Sequence, residues 1–274
     1  MTGKHQTEFH LNQHKLEQLD NWMQAVKARP RVDELIQGLV PAKTGLILLG
    51  GRTGLGKTNL ALQLACCVAT GEPFLGHKTR KAEVGYLGFE GTHSQMADRM
   101  AKLLVTYPNA ATNMRFGLSS LTKLTQASME KFITWFEGVG LVILDPLKYL
   151  VQGDYGKPMD AQYFLWNAHE LSARLPAPIL MNHHIRKPDE RALLDPGDLY
   201  ELKGAGDYVD AATTVLFLER ERQGHKPGGG FAPVNRDNTV LYFPKTRDAI
   251  VDEEPLLLRF NRDKLIFEER SVLT

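Results

Sequence analysis

The sequence predicts an α/β fold: a mostly parallel, twisted sheet flanked by helices, with an antiparallel C-terminal extension that ends in a β-hairpin. Three observations carry this. Short apolar runs alternate with segments of helical length and period from Gly45 to Asn182. The first run feeds a glycine-rich loop that opens directly into a helix. From Ala211 onward the apolar runs follow one another with no helical segment between them, the pattern of strands joined by turns.

In chain order, residues 1–10 are polar and without period. Leu16, Leu19, Trp22, Met23 and Val26 then fall at helical spacing, and Pro30 closes the segment, so Leu11–Lys27 reads as an amphipathic helix. It either packs on its own domain or serves as an arm to a neighbouring subunit. With the apolar lead-in Val32–Val40, which Pro41 ends, it makes a first region, 1–40, ahead of a main domain, 41–274. Gly45–Leu49 is the first strand, Asn59–Thr70 a helix ended by Gly71, and Val84–Phe89 the second strand. Ser94–Tyr107 is a helix with Met96, Met100, Leu103 and Leu104 on one face. Met114–Leu118 is a short strand, and Ser128–Glu137 a helix with Phe132, Trp135 and Phe136 on its apolar side. Leu141–Leu144 is the third main strand, Ala161–Leu175 a helix and Ala177–Asn182 the fourth strand. Residues 185–208 read as a polar loop, Ala211–Glu219 as a strand, and Gly224–Asn238 as a glycine- and proline-bearing loop. Thr239–Phe243 is a strand, and Leu256–Phe260 with Leu265–Glu268 form the closing hairpin.

Composition is that of an ordinary soluble domain, with 43% apolar and 24% charged residues in 274 and a net charge of +1. No global field draws the chain to a polyanion, so any such site is a local patch. Cys66 and Cys67 are adjacent and cannot easily bridge, and buried free thiols suit a reducing cytoplasm better than a redox pair does. No apolar run is long enough to span a membrane and no leader is visible, so no membrane partner is expected.

Gly51, Arg52, Thr53, Gly54, Leu55, Gly56, Lys57 and Thr58 fit G-x-x-x-x-G-K-[ST], the phosphate-binding loop, with strand before and helix after as that motif requires. Its backbone N–H groups and the helix N-terminus suit phosphate. Lys57 would reach the β/γ-phosphates and the Thr58 hydroxyl a Mg²⁺ ion, so ATP and Mg²⁺ are the expected ligands. Asp145 ends the apolar run Val142-Ile-Leu144, placing a carboxylate for Mg²⁺ at a strand end. Pro146 follows it, so no second acid adjoins, and Glu90 at the end of the second strand is the candidate general base; its other reading is a cap for the next helix. His183 and His184 end the fourth strand, where successive side chains face opposite ways, so one of the two can face the nucleotide. His184 is the candidate γ-phosphate sensor, and no Cys/His cluster makes a Zn²⁺ site of the pair. Lys245 and Arg247, two apart after a strand, either are solvated charges or complete a neighbouring subunit's site as cationic fingers.

Taken together, these stretches resemble the RecA/DnaB-like P-loop ATPases, and most nearly the RepA-like branch, the compact hexameric replicative helicases of plasmids and their AAA-type relatives in mobile elements. The residues concerned are Gly51–Thr58 with Leu60-Ala-Leu-Gln-Leu-Ala65, Gly88-Phe-Glu-Gly91 with Arg99, Val142–Asp145, His183-His184 with Lys187, and Lys245-Thr-Arg247. The resemblance implies a RecA-like core, a homo-oligomer in the form of a hexameric ring and ATP at subunit interfaces. Glu90 would be the general base, His184 the sensor, and Lys245 and Arg247 fingers acting in trans. The loops Val151–Asp160 and Arg186–Lys203 would line a central channel, where Arg186, Lys187, Arg191 and Lys203 could track single-stranded DNA. Asp189, Glu190, Asp195, Asp198 and Glu201 lie in the same loop and oppose that charge. Two functions follow: an ATP-driven helicase on single-stranded DNA, or a regulatory or recombination-mediator ATPase that assembles partner proteins without unwinding. A monomeric small-molecule kinase would leave the arm and the Lys-x-Arg pair without a purpose.

Overall fold

The computed structural model describes residues 33–119, 122–184, 205–225, 231–233, 237–246 and 254–270, together with Leu19, Asn21, Met23 and Gln24, which are helical. The chain divides into two units, Met1–Val32 and Asp33–Thr274. Residues 33–40 thus belong with the main unit, because Leu35, Ile36, Leu39 and Val40 are buried in its core. There they form a small antiparallel pair, β1 (Glu34–Ile36) with β2 (Val40–Pro41), in which Pro41 is part of the strand.

A nine-stranded sheet organises the rest. Its strands are β3 (Leu46–Gly51), β4 (Val84–Gly88), β5 (Met114–Leu118), β6 (Leu141–Asp145), β7 (Ile179–His184), β8 (Thr214–Arg220), β11 (Asn238–Thr246), β12 (Leu256–Asn261) and β13 (Ile266–Glu269). Their order is β13-β12-β11-β8-β3-β7-β6-β4-β5, parallel from β8 to β5 and antiparallel from β8 to β13. Every residue of β3, β4 and β6 is buried, as expected of parallel strands covered on both faces. The helices are α1 (Lys57–Thr70), α2 (His93–Thr106), α3 (Met129–Phe136), α4 (Pro158–Arg174) and α5 (Ala205–Ala211). Alternation along β6 splits the core in two. Leu141 and Ile143 pack with the α1 residues Leu60, Leu64 and Val68, while Val142 and Leu144 pack with Phe132, Phe164 and Leu171 of α3 and α4.

Two segments depart from the sequence reading. Residues 205–211 are helical rather than loop and strand, because Tyr208 is fully buried beside Phe164 and its hydroxyl donates to the Tyr155 carbonyl at 3.1 Å. Within the expected 224–238 loop, β9 (Arg222–His225) pairs antiparallel with β10 (Phe231–Pro233). The C-terminal hairpin is tied to α1 by Gln63, whose buried amide donates to the Phe267 carbonyl at 2.9 Å and accepts from the Phe267 N–H at 2.7 Å. Cys66 and Cys67 are free and buried, and burial pushes both thiols up to about 12. Among the described residues no helix is long and apolar enough to cross a membrane.

Candidate nucleotide site

The strand order brings the chemistry together. β7 lies between β3 and β6, so the strand-end histidines sit between the phosphate loop and Asp145. In register, Gly51 of β3 stands beside His184 of β7, and Asp145 of β6 beside Gly88 of β4, two residues short of Glu90. All of these lie at the carboxyl ends of parallel strands, where open α/β sheets bind ligands.

The loop from Gly51 to Thr58 is shaped for phosphate. Gly56 takes φ +93°, and a Cβ there would stand 2.9 Å from Cζ of Phe267, so backbone geometry and the C-terminal hairpin both demand glycine. Gly54 at φ +81° has nothing within 4 Å of where its Cβ would be, an open face that a bound group can approach closely. Lys57 is 6% exposed, and its Nζ donates to the Gly51 carbonyl at 2.7 Å and the Arg52 carbonyl at 3.0 Å, folded back over its own loop. Burial pushes its ammonium down to about 8, against the pull of Asp145 and Glu90 and with the push of Lys148. Thr58 stands in the first turn of α1 and is half-buried.

Asp145 is buried, and its Oδ2 accepts from the Tyr86 hydroxyl at 2.7 Å. Tyr86 is itself stacked on Phe116 with centroids 4.6 Å apart. Glu90 is free of the capping role, because Thr92 and Gln95 form the capping box of α2. Instead Glu90 makes an ion pair of 2.6 Å with Lys148, which sits in the 3-10 turn Leu147–Tyr149 after β6. Burial raises the Glu90 carboxyl, but the hydrogen bond and charge of Lys148, with Tyr149 and His184, bring it below its usual range.

The two histidines part as strand alternation requires. His183 turns to the α4 face, against Tyr208 and Tyr155 at centroid distances of 5.0 and 6.1 Å. His184 keeps the face of the phosphate loop. Burial, then the charges of Lys57 and Lys148, hold its pKa below the usual imidazole range despite Glu90 and Asp145, favouring the neutral ring. Neither ring nitrogen of His184 has a hydrogen-bond partner among the described residues. The same is true of both amide atoms of Asn182, which is fully buried two residues earlier on that face.

Lys245 differs from expectation. Its Nζ donates to the Val209 carbonyl at 2.5 Å and the Asp210 carbonyl at 3.1 Å, within its own subunit. The cation neutralises the carbonyl end of α5, a natural place for it. Arg247, and the DNA-tracking candidates Arg186, Lys187, Arg191 and Lys203, lie outside the described residues. The 151–160 segment folds inward at Val151 and holds Asp160 on the Asp154 N–H at 2.9 Å; Lys157 is its only cation. Sequence reading missed Tyr86 and Lys148. A hydroxyl in the otherwise apolar β4 and a cation three residues past Asp145 are the signals that point to them.

The residues fit a Mg²⁺–nucleoside triphosphate. The cradle is open at Gly54, Lys57 is hydrogen-bonded among the described residues to loop carbonyls, and half-buried His184 offers two buried ring nitrogens that are unsatisfied among the described residues. Among the described residues no group of three or more His, Cys, Asp or Glu could hold a metal by itself. Mg²⁺ here would therefore be shared between Asp145, Thr58 and phosphate oxygens.

Fold and site together define a P-loop nucleotide-binding domain, and its fold is that of solved DnaB-like ATPase domains. The chain belongs to the AAA domain family (AAA_25), which it matches over residues 12–190. Solved structures with the same fold include a protein's ATPase domain at 12% identity and TM-score 0.65, covering 92% of this chain and 96% of that one. A DnaB-like replicative helicase, described with its interactions with primase, is 14% identical with TM-score 0.66 over 92% of this chain and 67% of that one. The KaiC-like protein PH0186 from the hyperthermophilic archaeon Pyrococcus horikoshii OT3 is 13% identical with TM-score 0.57 over 89% and 99%. No curated protein matches.

Lys57 links nucleotide affinity to pH. In the free protein its ammonium begins to lose its proton near pH 8. A bound triphosphate favours the charged form and raises that value. Affinity is therefore full below about pH 8 and falls above it, approaching about tenfold per pH unit, with one proton taken up on binding. Calorimetry in buffers of different ionisation enthalpy checks this at pH 8.5; a binding enthalpy independent of buffer would show that Lys57 stays charged throughout.

Proposed function

We propose that the protein is an ATP-hydrolysing ring motor, a RepA-like replicative helicase translocating on single-stranded DNA. The observation that carries the reading is the convergence of Lys57, Asp145, Glu90 and His184 in one charge cluster at adjacent strand ends. In it Lys57 leaves its loop carbonyls for the β/γ-phosphates, and Thr58 and Asp145 would hold Mg²⁺, which when bound would supply positive charge to the phosphates. Glu90 takes a proton from water as the water oxygen bonds to the γ-phosphorus. The bond from that phosphorus to the β-bridging oxygen breaks, and ADP leaves with its electron pair. His184 donates an N–H to the γ-phosphate and carries its presence or loss along β7 into the 185–204 segment. Arg247 acts on a neighbour's nucleotide, with Lys245 fixing the strand that delivers it. The segment ahead of the main unit, residues 1–32, is the arm between subunits.

Tyr86 holds Asp145 in place for the metal. Tyr86→Phe should weaken the Mg²⁺ dependence of turnover about tenfold, the usual cost of losing a partner behind a metal ligand. An unchanged Mg²⁺ titration would remove Tyr86 from the site.

The reading is tested by ATP turnover with and without single-stranded DNA across a salt series, alongside mass in solution. A helicase should form a ring of defined size and be stimulated by DNA, with the stimulation fading as salt rises. Absence of stimulation at every salt would favour the second reading, a regulatory ATPase that assembles protein partners. The acidic balance of the 151–160 segment, with Asp154 and Asp160 against Lys157, supports that alternative.

A further inference from the structure

Glu90 is not presented to the site as an open carboxylate. Lys148 Nζ lies 2.6 Å from its Oε1 and also 4.7 Å from the centre of the Tyr149 ring. The turn carrying Lys148 is anchored on both sides by Leu147 and Leu150, which are fully buried, and Lys123 donates to the Tyr149 carbonyl at 2.7 Å. The Tyr149 ring in turn stacks with Phe89, the residue before Glu90, at 6.5 Å. Lys148 and Glu90 are thus brought together by packing on both of their segments rather than by chance contact of two long side chains.

The pairing has a chemical consequence. A carboxylate whose oxygen is occupied by an ammonium, and whose negative charge that ammonium stabilises, is a poor acceptor for a proton from water. The pair is also half open to solvent, with side-chain exposures of 29% and 46%, so it is weak enough to exchange partners. Lys148 feels the same cluster as the phosphate loop, since its charge acts on both Lys57 and His184. A triphosphate in the loop would bring several negative charges into its reach.

We propose that Lys148 is a positioning residue that latches Glu90 and, with triphosphate bound, is shared between that carboxylate and the γ-phosphate, so that Glu90 is free in only part of the bound population. The latch slows hydrolysis of bound triphosphate by withholding the base. It rests on the reading of Glu90 as general base, and the test separates the two.

Steady-state hydrolysis of Mg²⁺–ATP without DNA is measured for wild type, Lys148→Met, Lys148→Arg, Glu90→Gln and the double variant Lys148→Met/Glu90→Gln. Melting curves and binding of a fluorescent ATP analogue confirm that each variant folds and binds. Lys148→Met should raise kcat about twofold to fivefold, the factor that breaking a partly exposed ion pair supplies, and raise KM because a phosphate partner is lost. Lys148→Arg, which keeps the charge, should lie nearer to wild type, and the double variant should be as silent as Glu90→Gln. A kcat for folded, nucleotide-binding Lys148→Met at or below wild type, with Glu90→Gln silent, overturns the latch and leaves Glu90 as base. Normal turnover in Glu90→Gln overturns both.

Discussion

Lys57→Ala is expected to weaken ATP binding by about a hundredfold or more, because at least two charge-assisted hydrogen bonds to phosphate are lost at roughly 1.5–3 kcal/mol each. Fluorescent-nucleotide titration measures it. The prediction has a second part that separates lost binding from lost folding. Burial holds the Lys57 ammonium down to about 8, below its value in the unfolded chain, so the charged form opposes folding. By linkage that penalty is fully present below pH 8 and disappears as pH rises through the unfolded value; it is on the order of 3 kcal/mol at neutral pH. Removing the side chain should therefore leave the nucleotide-free melting temperature no lower than wild type, while the stabilisation by ATP vanishes. A variant that melts earlier without nucleotide and still gains stability from ATP would show Lys57 to be a scaffold residue.

Glu90→Gln is expected to keep ATP bound and to reduce hydrolysis by about 10²–10⁴, the usual contribution of a positioned base. The exchange is isosteric, and the lost ion pair with Lys148 is half exposed, worth about 0–1 kcal/mol, so stability should scarcely change. Single-turnover hydrolysis with nucleotide binding measured in parallel checks this. Turnover at the wild-type rate would remove Glu90 from the mechanism and leave no carboxylate other than Asp145 in the described cluster to take its place.

Much of the site was legible because its signals are local. Gly51–Thr58 declares itself through glycine spacing and a lysine, and Asp145 and Glu90 through their position at the ends of apolar runs. The opposite facing of His183 and His184 followed from alternation alone, and His184 was the candidate for the nucleotide side. Tyr86 and Lys148 were not legible in the same way. Tyr86 reaches Asp145 across 59 positions and Lys148 reaches Glu90 through a three-residue turn, contacts that exist only once β4 and β6 are neighbours. Lys245 shows the opposite case: its spacing from Arg247 suggested a cation projecting outward, but a helix that the sequence hid in a loop takes up its ammonium.

By itself the sequence determined the α/β class, the phosphate loop, the carboxylate at the end of β6 and the antiparallel C-terminal extension. Each depends on residues close together in the chain, through period, turn chemistry and strand-end position. Tertiary structure alone decided the strand order, with β7 between β3 and β6, and hence that His184 stands between the loop and Asp145. It also decided that Gln63, in the middle of an apolar helix, acts as a hydrogen-bonding partner to β13, and that Glu90 meets Lys148. The reason is physical: pairing between distant strands is chosen by burial of whole faces, which no short window contains. The polar contacts of the site form where that choice brings strand ends together.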